Sequence, residues 1–321
     1  MTETVLQYIF AFLYVLNLGL VFRILVRTEK VPPYILVLMS LTSYRVHSIF
    51  ILRLFNDPVA VLFLYASLNL FMDHRHSLGS LLFSLAVSVK MNILLYSPAL
   101  LIFYLTNLGQ VGTLVQLSLC AGLQVLLAAP FLWYAPAQYI IGAFNLGRIF
   151  LYEWTVNFRF LPEEIFVSRI FHLALLLAHI GVLVFCARNW WSYLIVYKRL
   201  SKLRVPSCEQ LFGKYFSFPP RPIINNLFCS VLPLFMCNFI GVMFTQSLND
   251  QSYIWYYHTL HYLVWSTPFS VKSRLLLGVV EMCWNTGPST VLSSVSLHVS
   301  HLVLLVGLVS TLTTKYCGHQ L

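Results

Sequence analysis

Ionisable side chains inside long apolar stretches are the residues of this sequence whose types and positions could do chemistry. The clearest case is Lys90, which interrupts the apolar stretch 78–105 and has Ser88 and Asn92 as neighbours. An ammonium group in hydrocarbon is costly unless it is solvated or paired. Its side chain could simply reach the membrane surface, but an anionic lipid headgroup would also compensate for its desolvation. The position therefore favours a binding site for a lipid phosphate.

A second group of charged side chains lies between two apolar runs. It contains Arg45, Arg53, Asn56 and Asp57. Arg53 and Asp57 are four residues apart, so on one helix they would share a face and could pair with each other. The functional interpretation is a cation and a carboxylate at the mouth of a cavity on the non-cytoplasmic side. Both interpretations are open at the level of sequence.

Polar and aromatic residues are concentrated between positions 148 and 164. They include Glu153, Trp154, Asn157 and Arg159. Aromatic residues at such positions are typical of the membrane–water interface. The same set is also what a sugar site uses, because aromatic faces stack on the C–H surfaces of pyranose rings while polar groups bind hydroxyls. The density of these residues favours a sugar site.

A fourth group in the C-terminal third combines histidine, aromatic and acidic residues. The members that could contact a sugar or an acceptor are His258, Glu281, Trp284 and Asn285. His258 and His261 are three residues apart, as two metal ligands on one helical face would be. The sequence places no third ligand, so we predict neither a metal site nor a cofactor. The seven cysteines include no C-x-x-C pair and are interpreted as small packing residues.

The elements that position these residues follow from the composition. Of 321 residues, 59% are hydrophobic and only 9% are charged, whereas soluble domains carry about 25% charge. This excludes a soluble cytosolic enzyme, a disordered chain and a disulfide scaffold. At roughly 20 residues for each crossing helix, the apolar runs predict an all-α polytopic membrane protein with about ten transmembrane helices, some of them short. Residues 1–321 are treated as a single multi-spanning domain.

The orientation of these helices depends on Lys90. If the stretch 78–105 is one span, the basic segment 188–222 falls on the non-cytoplasmic side, against the positive-inside tendency. If the chain breaks at Lys90 into two short halves, that segment becomes a cytoplasmic loop and residues 131–169 form a non-cytoplasmic loop. We take the break, which predicts a non-cytoplasmic N-terminus and a cytoplasmic C-terminus.

The net charge of +10 is then explained by the predicted orientation in the membrane. The segments assigned to the cytoplasm hold 14 basic and three acidic residues, a net of +11, and the other side holds six basic and seven acidic residues, a net of −1. A basic chain could bind nucleic acid, but this distribution gives that interpretation little support. We predict membrane lipid as a partner and no nucleic acid.

Six segments that contain these residues resemble, in order, the dolichyl-phosphate-mannose-dependent α-1,3-mannosyltransferases of the endoplasmic reticulum. The likeness covers nearly the whole chain, and the joint order of the segments is improbable by chance. The segments are SYRVHSIFILRLFNDPVA (43–60), FSLAVSVKMNILLYSPALL (83–101), CAGLQVLLAAPF (120–131), LGRIFLYEWTVNFRFLPEE (146–164), IWYYHTL (254–260) and EMCWNTGPST (281–290).

The resemblance implies a multi-spanning glycosyltransferase of the lipid-donor (GT-C) type in the endoplasmic reticulum membrane, with a lumenal N-terminus. It implies transfer of mannose from dolichyl-phosphate-mannose to Man5GlcNAc2-diphosphate-dolichol in N-glycan precursor assembly, with inversion and without a metal. Such a displacement uses a carboxylate base and fixed cations for the leaving phosphate. The candidates are Lys90, Arg53 and Arg159 for the phosphate, and Asn56, Glu153, Trp154, Asn157, His258, Glu281, Trp284 and Asn285 for the sugar or acceptor.

The base is where this sequence departs from the family. Relatives typically begin with an additional helix and a lumenal loop that carries the acidic residue regarded as catalytic, and this chain starts after that region. The sequence therefore predicts a partial or alternative product, in which Asp57 is the best-placed remaining carboxylate. The alternatives are an inactive truncated relative, and a transporter or channel with Lys90, Arg53 and Asp57 along its pathway. Inverted repeats would favour a transporter, and we find none in the sequence.

Overall fold

The computed structural model describes residues 3–143, 151–203, 231–268 and 271–317, with the backbone alone for 196–203, 271–274 and 314–317. Within these ranges the chain forms thirteen α-helices, three short 3-10 segments and no β-strand. The first seven helices are α1 (Glu3–Thr28), α2 (Pro33–Thr42), α3 (Tyr44–Ile51), α4 (Asp57–Met72), α5 (His76–Val89), α6 (Ser97–Tyr134) and α7 (Pro136–Ala143). The others are α8 (Glu163–Val167), α9 (Arg169–Leu203), α10 (Val231–Met243), α11 (Tyr257–Ser266), α12 (Val271–Asn285) and α13 (Val291–Cys317). The 3-10 segments are Met91–Tyr96, Tyr152–Trp154 and Asp250–Trp255.

Long apolar helices confirm the prediction of an all-helical membrane protein. Four stretches are long and apolar enough to cross a membrane: α1, Met91–Tyr134, Arg169–Ile195 and Val291–Thr313. Helices α2 and α3 are bent by 62° relative to each other and together make a fifth candidate. Helices α4, α5 and α10 and the stretch Leu275–Asn285 are apolar but shorter. The described residues thus support four or five spans by length, and the number of about ten stays a prediction.

The predicted break at Lys90 is confirmed in the backbone. Helix α5 ends at Val89, and Lys90 is extended, with φ −150° and ψ 116°. The chain continues as the 3-10 segment Met91–Tyr96 before α6 begins at Ser97. The apolar stretch is therefore two helices joined by a short connector, with Lys90 at the corner.

Helix α6 contains a second break, at Gly109. Its φ of +73° lies in the region where residues with a Cβ atom are strained. No atom lies within 4 Å of the position that a Cβ would take, so the backbone conformation, not the available space, requires glycine here. The 38 residues of α6 are accordingly two arms, and the break falls between the two apolar runs that the sequence separates.

Helices α4 and α5 form a tightly packed hairpin, with α1 against α4 and α6 against α5. Gly79 of α5 permits the close approach, because a Cβ atom there would overlap the ring of Phe71 on α4. Ser67 Oγ donates a hydrogen bond of 2.7 Å to the carbonyl oxygen of Gly79 across the same contact. Since Asp57 begins α4 and Lys90 follows α5, the hairpin brings these two residues to the same end.

At the other end of the hairpin, Asp73 ties α4 and α5 to α1. Arg23 Nη2 donates to Asp73 Oδ2 at 2.8 Å, and Arg27 Nη1 donates to Oδ1 at 2.7 Å. Partial burial acts to raise the pKa of Asp73, but the hydrogen bonds from Arg27 and Arg23 outweigh it and hold that pKa below its usual value. Asn69 on α4 accepts a further hydrogen bond from Arg23 Nη1, at 3.0 Å. This cluster fixes the hairpin at the end away from Lys90.

Helix α10 forms the centre of the C-terminal half, and all thirteen of its residues are buried. It contacts α6, α9, α11, α13 and the 3-10 segment Met91–Tyr96. Asn238 Nδ2 on α10 donates a hydrogen bond of 2.9 Å to the carbonyl oxygen of Trp255. The central helix therefore supports the 3-10 segment Asp250–Trp255.

The predicted loops are described in part. The predicted non-cytoplasmic loop 131–169 contains the end of α6, helices α7 and α8, and the 3-10 segment Tyr152–Trp154, and its residues 144–150 lie outside the described residues. In the predicted cytoplasmic loop 188–222, residues up to Leu203 continue helix α9, and residues 204–222 lie outside the described residues.

Candidate functional site

Lys90 and Asp57 form an ion pair at one end of the α4–α5 hairpin. Lys90 Nζ lies 3.0 Å from Asp57 Oδ2. The side chain of Asp57 is 0% exposed and that of Lys90 is 25% exposed. The ammonium is therefore the member of the pair that a ligand can reach. Asn56 Nδ2 donates to the carbonyl oxygen of Val89 at 3.4 Å, which places the exposed Asn56 beside this pair.

Asp57 has a second partner from the C-terminal half. Trp255 Nε1 donates a hydrogen bond of 2.7 Å to Asp57 Oδ1, so each carboxylate oxygen accepts a hydrogen bond. We call Lys90, Asp57 and Trp255 the lysine centre. The proposed role of Asp57 as a base stays a prediction.

Two arginines form a second cation centre around Asp250. Arg45 Nη1 lies 2.9 Å from Asp250 Oδ2, and Arg53 Nη2 lies 3.5 Å from the same oxygen. Arg45 Nε also donates to the carbonyl oxygen of Trp284 at 3.2 Å. We call Arg45, Arg53 and Asp250 the arginine centre. Two guanidinium groups against one carboxylate leave it with a net positive charge.

The alternative in which Arg53 pairs with Asp57 is wrong. Helix α3 ends at Ile51 and α4 begins at Asp57, so the two side chains do not share a helical face. Asp57 instead pairs with Lys90, and Arg53 turns to Asp250. The spacing of four residues fails as a guide because a helix boundary lies between them.

A small polar cavity adjoins the arginine centre. Its volume is about 240 Å³, and Arg53, Trp154, Asp250 and Gln251 are among its lining residues. Trp154 is 62% exposed, and Glu153 beside it is also exposed. The cavity is smaller than the roughly 300–1,000 Å³ of typical small-molecule sites, which suits one sugar unit and not a branched glycan.

Arg159 and Asn157 have different surroundings. Arg159 Nη1 donates to the carbonyl oxygen of Tyr152 at 2.9 Å, and its guanidinium carbon lies 4.5 Å from the centre of the Tyr152 ring. Within the described ranges Arg159 has no carboxylate partner, so its charge is available to an anion. Asn157 is fully buried, donates to the carbonyl oxygen of Thr245 at 2.8 Å and accepts from the backbone N–H of Leu248 at 3.1 Å. It therefore joins two loops and is not among the residues that line the polar cavity.

Glu281 and Asn285 lie at the end of α12, and Glu281 lines a cavity that is larger than the polar one. Tyr253 Oη donates to Glu281 Oε2 at 2.6 Å, and Asn285 Nδ2 donates to Oε1 at 2.8 Å. The cavity is about 520 Å³, and its walls are mostly aliphatic and aromatic side chains of α2, α11 and α12. Glu281 is a polar residue on an otherwise largely apolar wall.

Trp284 and His258, also predicted to contact sugar, lie in the core. Both are 1% exposed. The indole ring of Trp284 stacks on Tyr253 with 4.9 Å between ring centroids, and its N–H donates to Tyr256 Oη at 2.7 Å. Neither ring nitrogen of His258 has a hydrogen-bond partner among the residues that the structure describes. Sugar contact by these residues stays a prediction, and their placement behind the site surface favours a structural role.

A metal centre has no support in the described part of the chain, where no three His, Cys, Asp or Glu residues come together as ligands. His261 Nδ1 lies 3.1 Å from the carbonyl oxygen of Tyr257. His301 Nε2 lies 2.9 Å from Tyr256 Oη. These histidines are engaged in packing and hydrogen bonds within the helix bundle.

The partners that complete both centres are not predicted as such by the sequence. Asp250 lies in a short polar stretch between apolar runs and has no predicted role, and Trp255, in the IWYYHTL segment, belongs to the fourth group of candidate residues without an assigned contact. The polar stretch and the aromatic run together were the available signal. Nothing in the sequence indicates that they reach Arg45 and Asp57.

Comparison with known proteins identifies the family. The sequence profile described as "ALG3 protein" matches residues 3–294. The chain belongs to the ALG3 family. Both cation centres lie inside the matched region, and so does every candidate residue predicted from the sequence.

Individual relatives of the ALG3 family agree over most of the chain. "Dolichyl-P-Man:Man5GlcNAc2-PP-dolichol alpha-1,3-mannosyltransferase Alg3" of Drosophila melanogaster is 45% identical over an alignment of 361 positions, gaps included. The alignment covers 95% of this chain and 71% of the relative. The human "Dol-P-Man:Man(5)GlcNAc(2)-PP-Dol alpha-1,3-mannosyltransferase" is 49% identical over 306 residues, covering 94% and 68%. The Arabidopsis thaliana protein of that name is 44% identical over 309 residues, covering 94% and 69%. No solved structure matches the chain. The family resemblance of the six segments is confirmed.

Proposed function

We propose that this protein transfers mannose from dolichyl-phosphate-mannose, in α-1,3 linkage, to Man5GlcNAc2-diphosphate-dolichol in N-glycan precursor assembly. Relatives with 44–49% identity over 94% of the chain carry names that state this activity. No comparison favours the alternative of a transporter or channel. The enzyme would be embedded in the endoplasmic reticulum membrane, where both lipid substrates reside.

The observation that carries this proposal is the surplus of cations at the site. The two centres hold three basic side chains against two carboxylates. In an inverting displacement the donor leaves as a dolichyl phosphate, an anion that needs fixed positive groups and no acid. We assign this task to Lys90 with Arg53 or Arg159. Lys90 and Arg53 are partly exposed, as an anion site requires.

The acceptor hydroxyl needs a base, and Asp57 is our candidate from the sequence. The Lys90 ammonium has three N–H donors, so it can bind the donor phosphate while it stays on Asp57 Oδ2. A carboxylate oxygen has two lone pairs, and the second one on Oδ2 would accept the hydroxyl proton. The reaction would form the new C–O bond at the anomeric carbon and break the bond to phosphate, and the hydroxyl proton would pass to the carboxylate.

Residues that line the two cavities or lie exposed beside the centres are our candidates for sugar and acceptor contacts. Trp154 offers an aromatic face, the exposed Asn56, Glu153 and Asn285 offer hydrogen-bonding groups, and so does the half-buried Glu281. The apolar 520 Å³ cavity suits the phosphate-proximal part of an isoprenoid chain. His258, Trp284 and Asn157 would support these groups from behind.

The architecture completes the proposal. We infer a single multi-spanning domain of GT-C type with about ten membrane helices, and with a lumenal N-terminus and a cytoplasmic C-terminus. Residues 131–169 would face the lumen and residues 188–222 the cytoplasm. The lumenal side would then carry both cation centres.

Reconstitution tests the proposed activity. The purified chain in liposomes receives radiolabelled dolichyl-phosphate-mannose and Man5GlcNAc2-diphosphate-dolichol, and the product is digested with an α-1,3-specific mannosidase. We expect labelled Man6GlcNAc2 lipid that loses its label on digestion. Lys90→Gln should abolish transfer, and Lys30→Gln, at an exposed position outside the site, should not. A folded chain that transfers no mannose would contradict the proposal.

A further inference from the structure

The 3-10 segment Asp250–Trp255, here called the connecting segment, contributes one side chain to each cation centre. Asp250, its first residue, belongs to the arginine centre, and Trp255, its last, belongs to the lysine centre. Five residue steps of 3-10 helix rise about 10 Å, so the segment spaces the two centres by about that distance. Among the described residues no ion pair joins the centres directly. The segment is therefore a second physical link between them, beside the stretch of chain from Arg53 to Asp57.

Contacts along its length hold the connecting segment in place. Its start is closed by reciprocal capping hydrogen bonds. Tyr253 donates to Glu281 and stacks on Trp284, and Asn238 of the buried helix α10 holds the carbonyl oxygen of Trp255. Because these contacts fix the segment along its length, it can hold the side chains that contact it in defined positions.

Trp255 can act on Lys90 only through Asp57. An indole N–H donates a hydrogen bond and cannot accept one, so it occupies Asp57 Oδ1 and leaves Oδ2 as the acceptor for the ammonium. The side chain of Asp57 is 0% exposed, so bulk water does not replace a lost donor. Lysine carries its charge on a flexible four-carbon stem, and the carboxylate is what gives the ammonium a fixed place.

We propose that Trp255 is a positioning residue, which sets the Lys90 ammonium through Asp57 at the point where the phosphate of a lipid-linked substrate binds. The identity of that phosphate rests on the proposed function, whereas the tether itself does not. The partly exposed Lys90 meets the ligand, and the buried Asp57 and the half-buried Trp255 hold it from behind. The same segment holds the arginine centre through Asp250, so both cation centres keep their spacing.

Trp255→Phe tests the tether, since it removes the N–H donor and keeps an aromatic ring. The matched control is Trp133→Phe, at a position that is 93% exposed. The purified proteins in detergent are labelled with an amine-reactive reagent, and modification of Lys90 is measured by mass spectrometry relative to the exposed Lys30. We expect Lys90 labelling to rise about threefold or more in Trp255→Phe, the scale on which one hydrogen bond matters, and to stay unchanged in the control.

Transfer kinetics provide a second readout. Trp255→Phe should raise KM for dolichyl-phosphate-mannose about tenfold and change kcat by less than about twofold, because a displaced ammonium weakens donor binding first. KM for the acceptor lipid should not change. An effect on kcat alone, or equal effects on both substrates, would show that Trp255 is merely structural and would overturn the proposal.

The outcomes separate the tether from the proposed function. Unchanged Lys90 labelling in a folded Trp255→Phe protein overturns the tether whatever the activity. If wild-type protein transfers no mannose, the proposed function fails, and the labelling result still decides the tether. Should Trp255→Phe not accumulate, Asp57→Asn tests the same link from the other side: Lys90 labelling must rise, and an unchanged rate overturns the proposal.

Discussion

Lys90 and Asp57 form an ion pair of unequal exposure, with 3.0 Å between Nζ and Oδ2, a fully buried carboxylate and a lysine side chain that is 25% exposed. Lys90→Gln should therefore leave a buried charge with Trp255 as its remaining partner. We expect the free energy of unfolding to fall by about 2 kcal/mol. This is less than for a fully buried pair, because the lysine is partly solvated. The double variant Asp57→Asn/Lys90→Gln removes the uncompensated charge and should recover most of that stability, but no mannose transfer. Thermal unfolding in detergent and the transfer assay measure the two effects. A double variant no more stable than Lys90→Gln would contradict this account.

Asn157 should prove structural despite its place in a sugar-like sequence segment. Asn157→Ala leaves the carbonyl oxygen of Thr245 and the buried N–H of Leu248 without this partner. We therefore expect the free energy of unfolding to fall by about 2–3 kcal/mol. The protein that folds should have an unchanged KM. Asn285→Ala, at an exposed position, is the matched control and should change stability by less than about 0.5 kcal/mol. Thermal unfolding of both variants checks the contrast, and equal stabilities would refute it.

The two tryptophans Trp154 and Trp284 should respond to truncation in opposite ways. Trp154→Ala removes an exposed ring at the polar cavity, and we expect KM to rise about fivefold, the scale of one aromatic stacking contact, without a change in melting temperature. Trp284→Ala empties a buried site and should cost about 3–5 kcal/mol. Melting curves and KM values decide the matter, and a stable Trp284→Ala variant with a raised KM would place the sugar contact at Trp284 instead.

The stability of the cluster at Asp73 should depend on pH. Because the folded pKa of Asp73 lies below its ordinary value, its stabilisation is present at pH values above the ordinary carboxyl pKa and is lost as the pH falls through the folded pKa. Wild type should exceed Asp73→Asn by about 1 kcal/mol or less at neutral pH, since Arg23 and Arg27 are partly exposed. The difference should stay constant near neutral pH and narrow progressively as the pH falls below the ordinary carboxyl pKa of about 3.9. A gap that is constant with pH would exclude the ion pairs as its cause.

The proposed orientation can be tested with acceptor sites for N-glycosylation. A site inserted near Gly142 should be modified, because residues 131–169 are assigned to the lumen. A site inserted near Ser207 should not be modified, because residues 188–222 are assigned to the cytoplasm. Gel mobility before and after glycosidase treatment distinguishes the products. The reverse pattern would overturn the proposed orientation of everything downstream of Lys90.

The helical architecture could be predicted because it depends on local properties of the sequence. Apolar runs are long enough to predict membrane helices, and a lysine within one of them predicted the break that the backbone shows at Lys90. The family could be inferred because six ordered segments carry it. These signals require no knowledge of which helix contacts which.

The partners within the site could not be predicted, because they depend on tertiary packing. Arg53 and Asp57 have the spacing of a helical pair, yet a helix boundary separates them and each finds a distant partner. Trp154 and Trp284 are the same residue type in polar surroundings, and sequence alone does not distinguish the exposed one from the buried one. Burial of Asn157 and His258 is likewise a property of the assembled bundle.

The partners of the lysine and arginine centres are synthesised at very different times. Asp57 meets Lys90 only 33 residues later, whereas Trp255 follows it by 198 residues, which ribosomes need about 10–40 s to add. Arg45 waits longer still, since its acceptors Asp250 and Trp284 lie 205 and 239 residues further on. The nascent chain can thus form the Lys90–Asp57 ion pair early, whereas the Arg45 guanidinium is without its acceptors until most of the chain has been made.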